Sequence, residues 1–246
     1  QNLENAHSKY STSLLYSLVN NSKINEAYKY SNKLKFKNQN FFKSDLVILS
    51  KLIKNNDFDN AHEYLKLIDK TNYTSLENLI SQVINNWVNI EKSKLNYEQS
   101  KKTFNIDPRF KNINKINDVF LSCYYDSVNS DLQFQNLINN DITDFSRYTY
   151  FYVDYLLKKN LKTRANLVLE KQLKKIPRNL LLNQLKTDIK KNNQKQLYNK
   201  FDCRNVSHII AELFYITANA LSSQEIYSHS NFYLNLAKYL NQDFIS

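Results

Sequence analysis

No glycine occurs anywhere in the 246 residues of this chain, and only two prolines, Pro108 and Pro177, interrupt it. Tight β-turns draw heavily on both residue types, so this composition argues against an all-β fold. Long stretches without breakers favour helices instead. The chain must still reverse direction, and some reversals need a residue at positive φ. Asn tolerates that left-handed region better than most residues, so it can stand in for Gly. Of five Asn pairs, Asn20–Asn21, Asn55–Asn56, Asn139–Asn140 and Asn192–Asn193 are candidates, whereas Asn85–Asn86 falls inside a helix, before Trp87, whose turn is expected later at Ser93–Lys94.

The segment IKNNDFDNAHEYLK (53–66) shows the logic. Leu46, Leu49, Leu52 and Ile53 form one apolar helical face before the turn, and Phe58, Ala61, Leu65 and Ile68 form another after it. Asp57 is placed to cap the second helix. The unit recurs. Small residues on the second helix anchor the copies at Ala27, Ala61, Ser100, Ala165 and Ser230, with gaps of 34, 39, 65 and 65. Each gap of 65 has room for two units, and a weaker copy is expected with its anchor near Phe134. The mean interval is then about 34 residues, a helix-turn-helix period.

On these residues the chain resembles the tetratricopeptide-repeat (TPR) family over nearly all of 8–241. In the last copy Phe214, Ala218 and Leu221 match the first-helix series, and Tyr227, Ser230, Leu234 and Ala237 the second. In the fifth copy Asn160 falls on the turn glycine, Ala165 on the small position and Pro177 on the terminal proline. The segment from His208 to Phe244 is similar to long bacterial members whose repeats continue, so more chain is expected beyond Ser246. The resemblance implies an all-α fold: a right-handed α-solenoid of about seven antiparallel helix pairs in one domain. The pairs are expected at 8–37, 41–69, 74–104, 108–140, 143–176, 178–200 and 204–241. Irregular stacking is expected around 105–142 and 178–203. Asp107–Pro108 reads as the cap and first residue of a helix running to about Asn129.

The net charge is +11. A basic balance can serve nucleic acid or an anionic surface. The lysines are dispersed with no block of five, which fits a drift toward AT-rich codons better than a dedicated nucleic-acid surface. Cys123 and Cys203 lie 80 positions apart in no metal-ligand pattern, so they read as buried small hydrophobes, their pairing left open. No stretch approaches a membrane span. The chain has no Met, so Gln1 is expected to follow a removed leader or to begin a fragment. A cytoplasmic place and an exported one both stay open.

Nothing organised points to catalysis or to a cofactor or metal. A glycine-rich phosphate loop is impossible, and there is no H-E-x-x-H. His208 and Glu212, four apart on one helix, read as a structural pair. The resemblance implies a concave groove lined by the first helix of each pair. Carried over, it names Lys9, Tyr16, Lys43, Ser50 and Lys54, then Gln82, Asn85 and Asn89. Farther along it names Arg147, Tyr150, Asp154 and Lys158, and last Glu212, Tyr215 and Asn219. Amides such as Asn85 and Asn89 can bond an extended peptide backbone, and the cations favour an acidic peptide. The expected function is a non-catalytic scaffold for a peptide or partner protein. A nucleic-acid-binding helical repeat is the second reading, and the accessory repeat region of a larger enzyme the third.

Overall fold

A computed structural model of the chain describes residues 9–139, 145–191 and 200–243. These residues are all-α, with no strand among them. The helices run α1 Tyr10–Asn20, α2 Ile24–Phe36, α3 Phe42–Lys54, α4 Phe58–Leu67, α5 Ser75–Ser93, α6 Tyr97–Thr103 and α7 Lys111–Tyr124. They continue with α8 Ser130–Ile138, α9 Ser146–Lys158, α10 Lys162–Lys175, α11 Leu180–Lys190, α12 Val206–Ser222 and α13 Tyr227–Leu240. Neighbours in sequence pack on each other, as α1 on α2, α3 on α4, α7 on α8, α9 on α10 and α12 on α13.

The reversals within these pairs repeat one piece of backbone chemistry. Ser22, Asn56, Asp126, Asn160 and Glu225 have φ between 49° and 62°. In each, the N–H of the left-handed residue bonds the carbonyl three back, and the next N–H reaches the carbonyl five back. At Asn56 these are Ile53 O at 3.0 Å and Leu52 O at 2.9 Å; at Asn160, Leu157 O and Leu156 O, both at 2.9 Å. This double bond closes the orphan carbonyls of a helix C-terminus. Asn56 and Asn160 take the role expected of them. At the first turn, however, Ser22 rather than Asn20 or Asn21 carries the positive φ. Lys94 turns the third pair with φ 48°. Asn139 ends α8 at φ −89°, and Asn140, Asn192 and Asn193 lie outside the described residues.

Helix starts are equally legible. Asp57 caps α4 through Asn60 N, and Thr74–Glu77 form a reciprocal box at α5. Asp107 differs from expectation. Its carboxylate accepts from Arg109 N at 2.9 Å, closing a turn that holds Pro108, and α7 starts only at Lys111. Beyond that turn the region expected to be irregular forms an ordinary antiparallel pair. Its small anchor is Ser130, not Phe134. Ser130 Oγ donates to Ser122 O at 2.7 Å across the hairpin, as Ser230 Oγ donates to Ala218 O at 2.8 Å in the last pair. Ala27, Ala61, Ser100 and Ala165 are likewise fully buried. Cβ-sized side chains there let the two helices of a pair approach closely.

The last pair also packs on the earlier ones. Helix α13 meets α1 and α3, and α12 meets α3 and α5. Tyr16 of α1 lies 4.9 Å from Phe232 between ring centroids and 5.4 Å from His229. The approach to α12 is pinned as well. Phe201 stacks on Phe151 at 4.1 Å and leans on Phe120 at 5.0 Å. Cys203 is joined to Cys123 of α7 by a disulfide with Cα atoms 5.9 Å apart. Both cysteines are buried, as small hydrophobes would be, but they form a covalent bridge rather than two independent thiols.

Candidate functional site

Most of the first-helix positions face the chain itself. Ser50 and Tyr150 are buried. Lys54 donates to Leu240 O at 2.9 Å, and burial holds its ammonium below the usual lysine range. Arg147, Glu212 and Tyr215, each expected to face a partner, meet one another. Arg147 grips the Glu212 carboxylate with bonds of 2.8–3.0 Å, and its guanidinium lies 4.0 Å over the Tyr215 ring. Glu212 therefore does not pair with His208, whose Nδ1 accepts from Asp202 N at 3.0 Å. Asn89 bonds His62 at 2.7 Å, while Asn85 is half-buried beside it. Gln82 accepts from Asp107 N. Lys9 and Asn219 are exposed.

Tyr16 and Lys43 do meet at an opening. They line a cleft of about 590 Å³ where α1, α3 and the start of α5 meet α13, with Phe41, Phe42, Tyr73, Glu77 and His229 around it. Local sequence builds it. Ser44 Oγ accepts from Phe41 N and fixes the start of α3, and Thr74 caps α5 so that Glu77 points across to Lys43. Lys43 Nζ and Glu77 Oε1 are 2.6 Å apart, in a pair that is largely shielded from solvent. Burial alone would raise the Glu77 carboxyl, but the bond from Lys43 and those from Thr74 bring it below the usual range.

Beside this pair lies a second carboxylate, Asp45, which is buried and fully engaged. It accepts from Tyr64 OH at 2.7 Å, Asn40 Nδ2 at 2.9 Å and Tyr73 OH at 3.4 Å. Burial raises its carboxyl against the opposing pull of those bonds. The Tyr16 hydroxyl is pushed up to about 12, by burial first and the Glu77 charge second. That hydroxyl is buried and has no hydrogen-bond partner among the described residues. An unmatched buried hydroxyl costs about 1–3 kcal/mol. Asn38, Asn40 and Asn72 at the mouth supply amide donors and acceptors. The cleft thus combines aromatic walls, an ion pair, amides and one unmatched hydroxyl behind its wall.

Sequence reading missed Asp45, Tyr73, Glu77 and His229. The T-x-x-E run at 74–77 is a capping-box signal that could have located Glu77. Nothing local could have brought His229 to Tyr16.

A smaller cleft of about 130 Å³ borders the disulfide, with Asp154 and Lys158 in its wall. Lys158 Nζ bonds both Asp154 Oδ2 and Phe201 O at 2.7 Å. Burial pushes the Asp154 carboxyl up to about 6, with Lys158 opposing and Asp202 assisting. The folded chain therefore holds this proton more tightly than the unfolded one. That contribution to stability is fully present below about pH 4 and is lost as pH rises through about 6. Relative to Asp154→Asn, the wild type should lose about 2 kcal/mol between those limits. Urea unfolding of both proteins across this window measures it; a constant difference would contradict the assignment.

Among the described residues no group of three or more His, Cys, Asp or Glu side chains is arranged to hold a metal ion, and no helix is long and apolar enough to cross a membrane. No protein-family model matches the chain, and no curated protein or solved structure matches it either.

Proposed function

We propose that this chain is a non-catalytic interaction module of the tetratricopeptide type, a right-handed stack of helix pairs that takes a polar peptide segment of a partner protein. The observation that carries this reading is the unmatched Tyr16 hydroxyl at the cleft. The hydroxyl lies behind the cleft wall, so a side-chain adjustment on binding would let a backbone carbonyl or amide reach it, while the Asn amides and the Lys43–Glu77 pair would hold the flanking peptide groups. The recurrence of the left-handed turn at Ser22, Asn56, Lys94, Asp126 and Asn160 supports the repeat assignment.

Panning a random peptide library against the protein tests the reading. Peptides retained by the wild type should be lost on Tyr16→Phe and on Lys43→Glu, but kept by Lys102→Glu on exposed α6. Equal retention by all four proteins, or no enrichment over empty resin, would remove the cleft from consideration.

A further inference from the structure

The chain's charge is not spread evenly over the fold. Residues 162–191 hold nine Lys and Arg against two acids, a net +7 out of +11 for the whole chain. Glu170 is paired with Lys186 at 2.6 Å, a bond that ties α10 to α11, and Asp188 is buried. On α10 the exposed residues Arg164, Leu167, Lys171 and Lys174 recur at helical spacing and share one side, with Arg164 ion-paired to Asp131 of α8. Leu167 is 67% exposed and Leu180, at the start of α11, is 86% exposed. A shallow cleft of about 230 Å³ lies between α8 and α10, with Ile138, Leu167 and Val168 in its wall and Arg164 and Lys171 beside them.

We propose that the exposed residues of α10 and of the start of α11 dock on an anionic lipid surface. The cations complement the headgroups, and the leucines enter the boundary between headgroups and acyl chains. Three features favour lipid over nucleic acid. Exposed leucines gain nothing from a phosphate backbone, whereas they gain from leaving water. Base stacking needs aromatic side chains, and residues 162–191 contain none of the chain's 18 Tyr, 14 Phe or its Trp. Seven of the nine cations are Lys, point charges suited to a diffuse anionic layer. This surface is separate from the Tyr16 cleft, so it stands or falls independently of the peptide-binding reading.

The test is co-sedimentation of the full chain with vesicles of phosphatidylcholine mixed with phosphatidylserine, and with phosphatidylcholine alone. The wild type should pellet with the mixed vesicles only, and less so as salt is raised. Lys171→Glu with Lys174→Glu should weaken the partition by about 25-fold or more, from about fivefold per lysine. Leu167→Asn with Leu180→Asn should weaken it by about tenfold or more. These positions are exposed, so unchanged melting of each variant keeps the comparison clean. Absence of pelleting at low salt overturns the proposal. So does retention of a DNA duplex without vesicle binding, or a leucine variant that partitions like the wild type.

Discussion

Arg147→Ala should lose about 3–5 kcal/mol of stability and melt roughly 10 °C below the wild type. Glu212 is fully buried, and it receives its bonds from Arg147 and from Tyr148 OH at 3.3 Å. Removing the guanidinium leaves a carboxylate in a low-dielectric interior with only a tyrosine to hold it. Burial by itself would lower the Arg147 pKa, yet the Glu212 charge more than offsets this and raises it. Tyr148 is held well above the ordinary phenol range by burial first and the Glu212 charge next, with Arg147 opposing. A double variant, Arg147→Met with Glu212→Met, separates the causes. It should recover much of the loss, because the penalty lies in the unpaired charge rather than in the missing bond. Differential scanning calorimetry of the three proteins decides it. A loss below about 1 kcal/mol in the single variant would mean that Glu212 finds another counter-charge or is not isolated from water.

Reduction of the Cys123–Cys203 disulfide should be comparably costly. The bridge closes a loop across 80 positions, for which chain-entropy reasoning gives about 4–5 kcal/mol. It also lies at a mechanical bottleneck. Segment 200–205 leads into α12, and Phe201, Lys158 and Asn241 hold the same segment through ring stacking and backbone bonds. Urea unfolding with and without reductant measures the effect. Cys123→Ser with Cys203→Ser should reproduce the reduced midpoint. Identical midpoints for oxidised and reduced protein would show that those contacts hold the segment unaided. The expected loss makes the stability of this fold depend on redox conditions, since thiols are kept reduced in the cytosol and oxidised outside it.

Both effects arise where distant parts of the chain meet, and there the sequence was least readable. Apolar periodicity pointed to helices along the chain, because helix formation depends on residues close in sequence. Asn56, Asn160 and Lys94 were placed at their turns for the same local reason. Ser22 was passed over because Ser has little intrinsic preference for positive φ, and only the double hydrogen bond to Val19 and Leu18 holds it there. Asp107 was misplaced because Asp followed by Pro suits an Asx turn as well as a helix start. The disulfide could not be read from spacing, since 80 residues of separation fix no distance.

The candidate site divides along the same line. Lys43 and Tyr16 were found as first-helix residues, but Arg147, Glu212, Tyr150 and Ser50 were given the same status and turn out to face the chain's own helices. Helical register states which side of a helix a residue occupies; it does not state what covers that side. What the sequence determined by itself is the all-α character and the turns at Asn56, Lys94 and Asn160, each set by interactions spanning about ten residues or fewer. What only the tertiary structure decided is which inner positions stay open. That depends on α12 and α13 packing against α1, α3, α5 and α9, through contacts such as Lys54 to Leu240 that span 186 positions. A local period carries no record of such a contact, because the same pattern of apolar faces is compatible with a stack that stays open and with one that packs on itself.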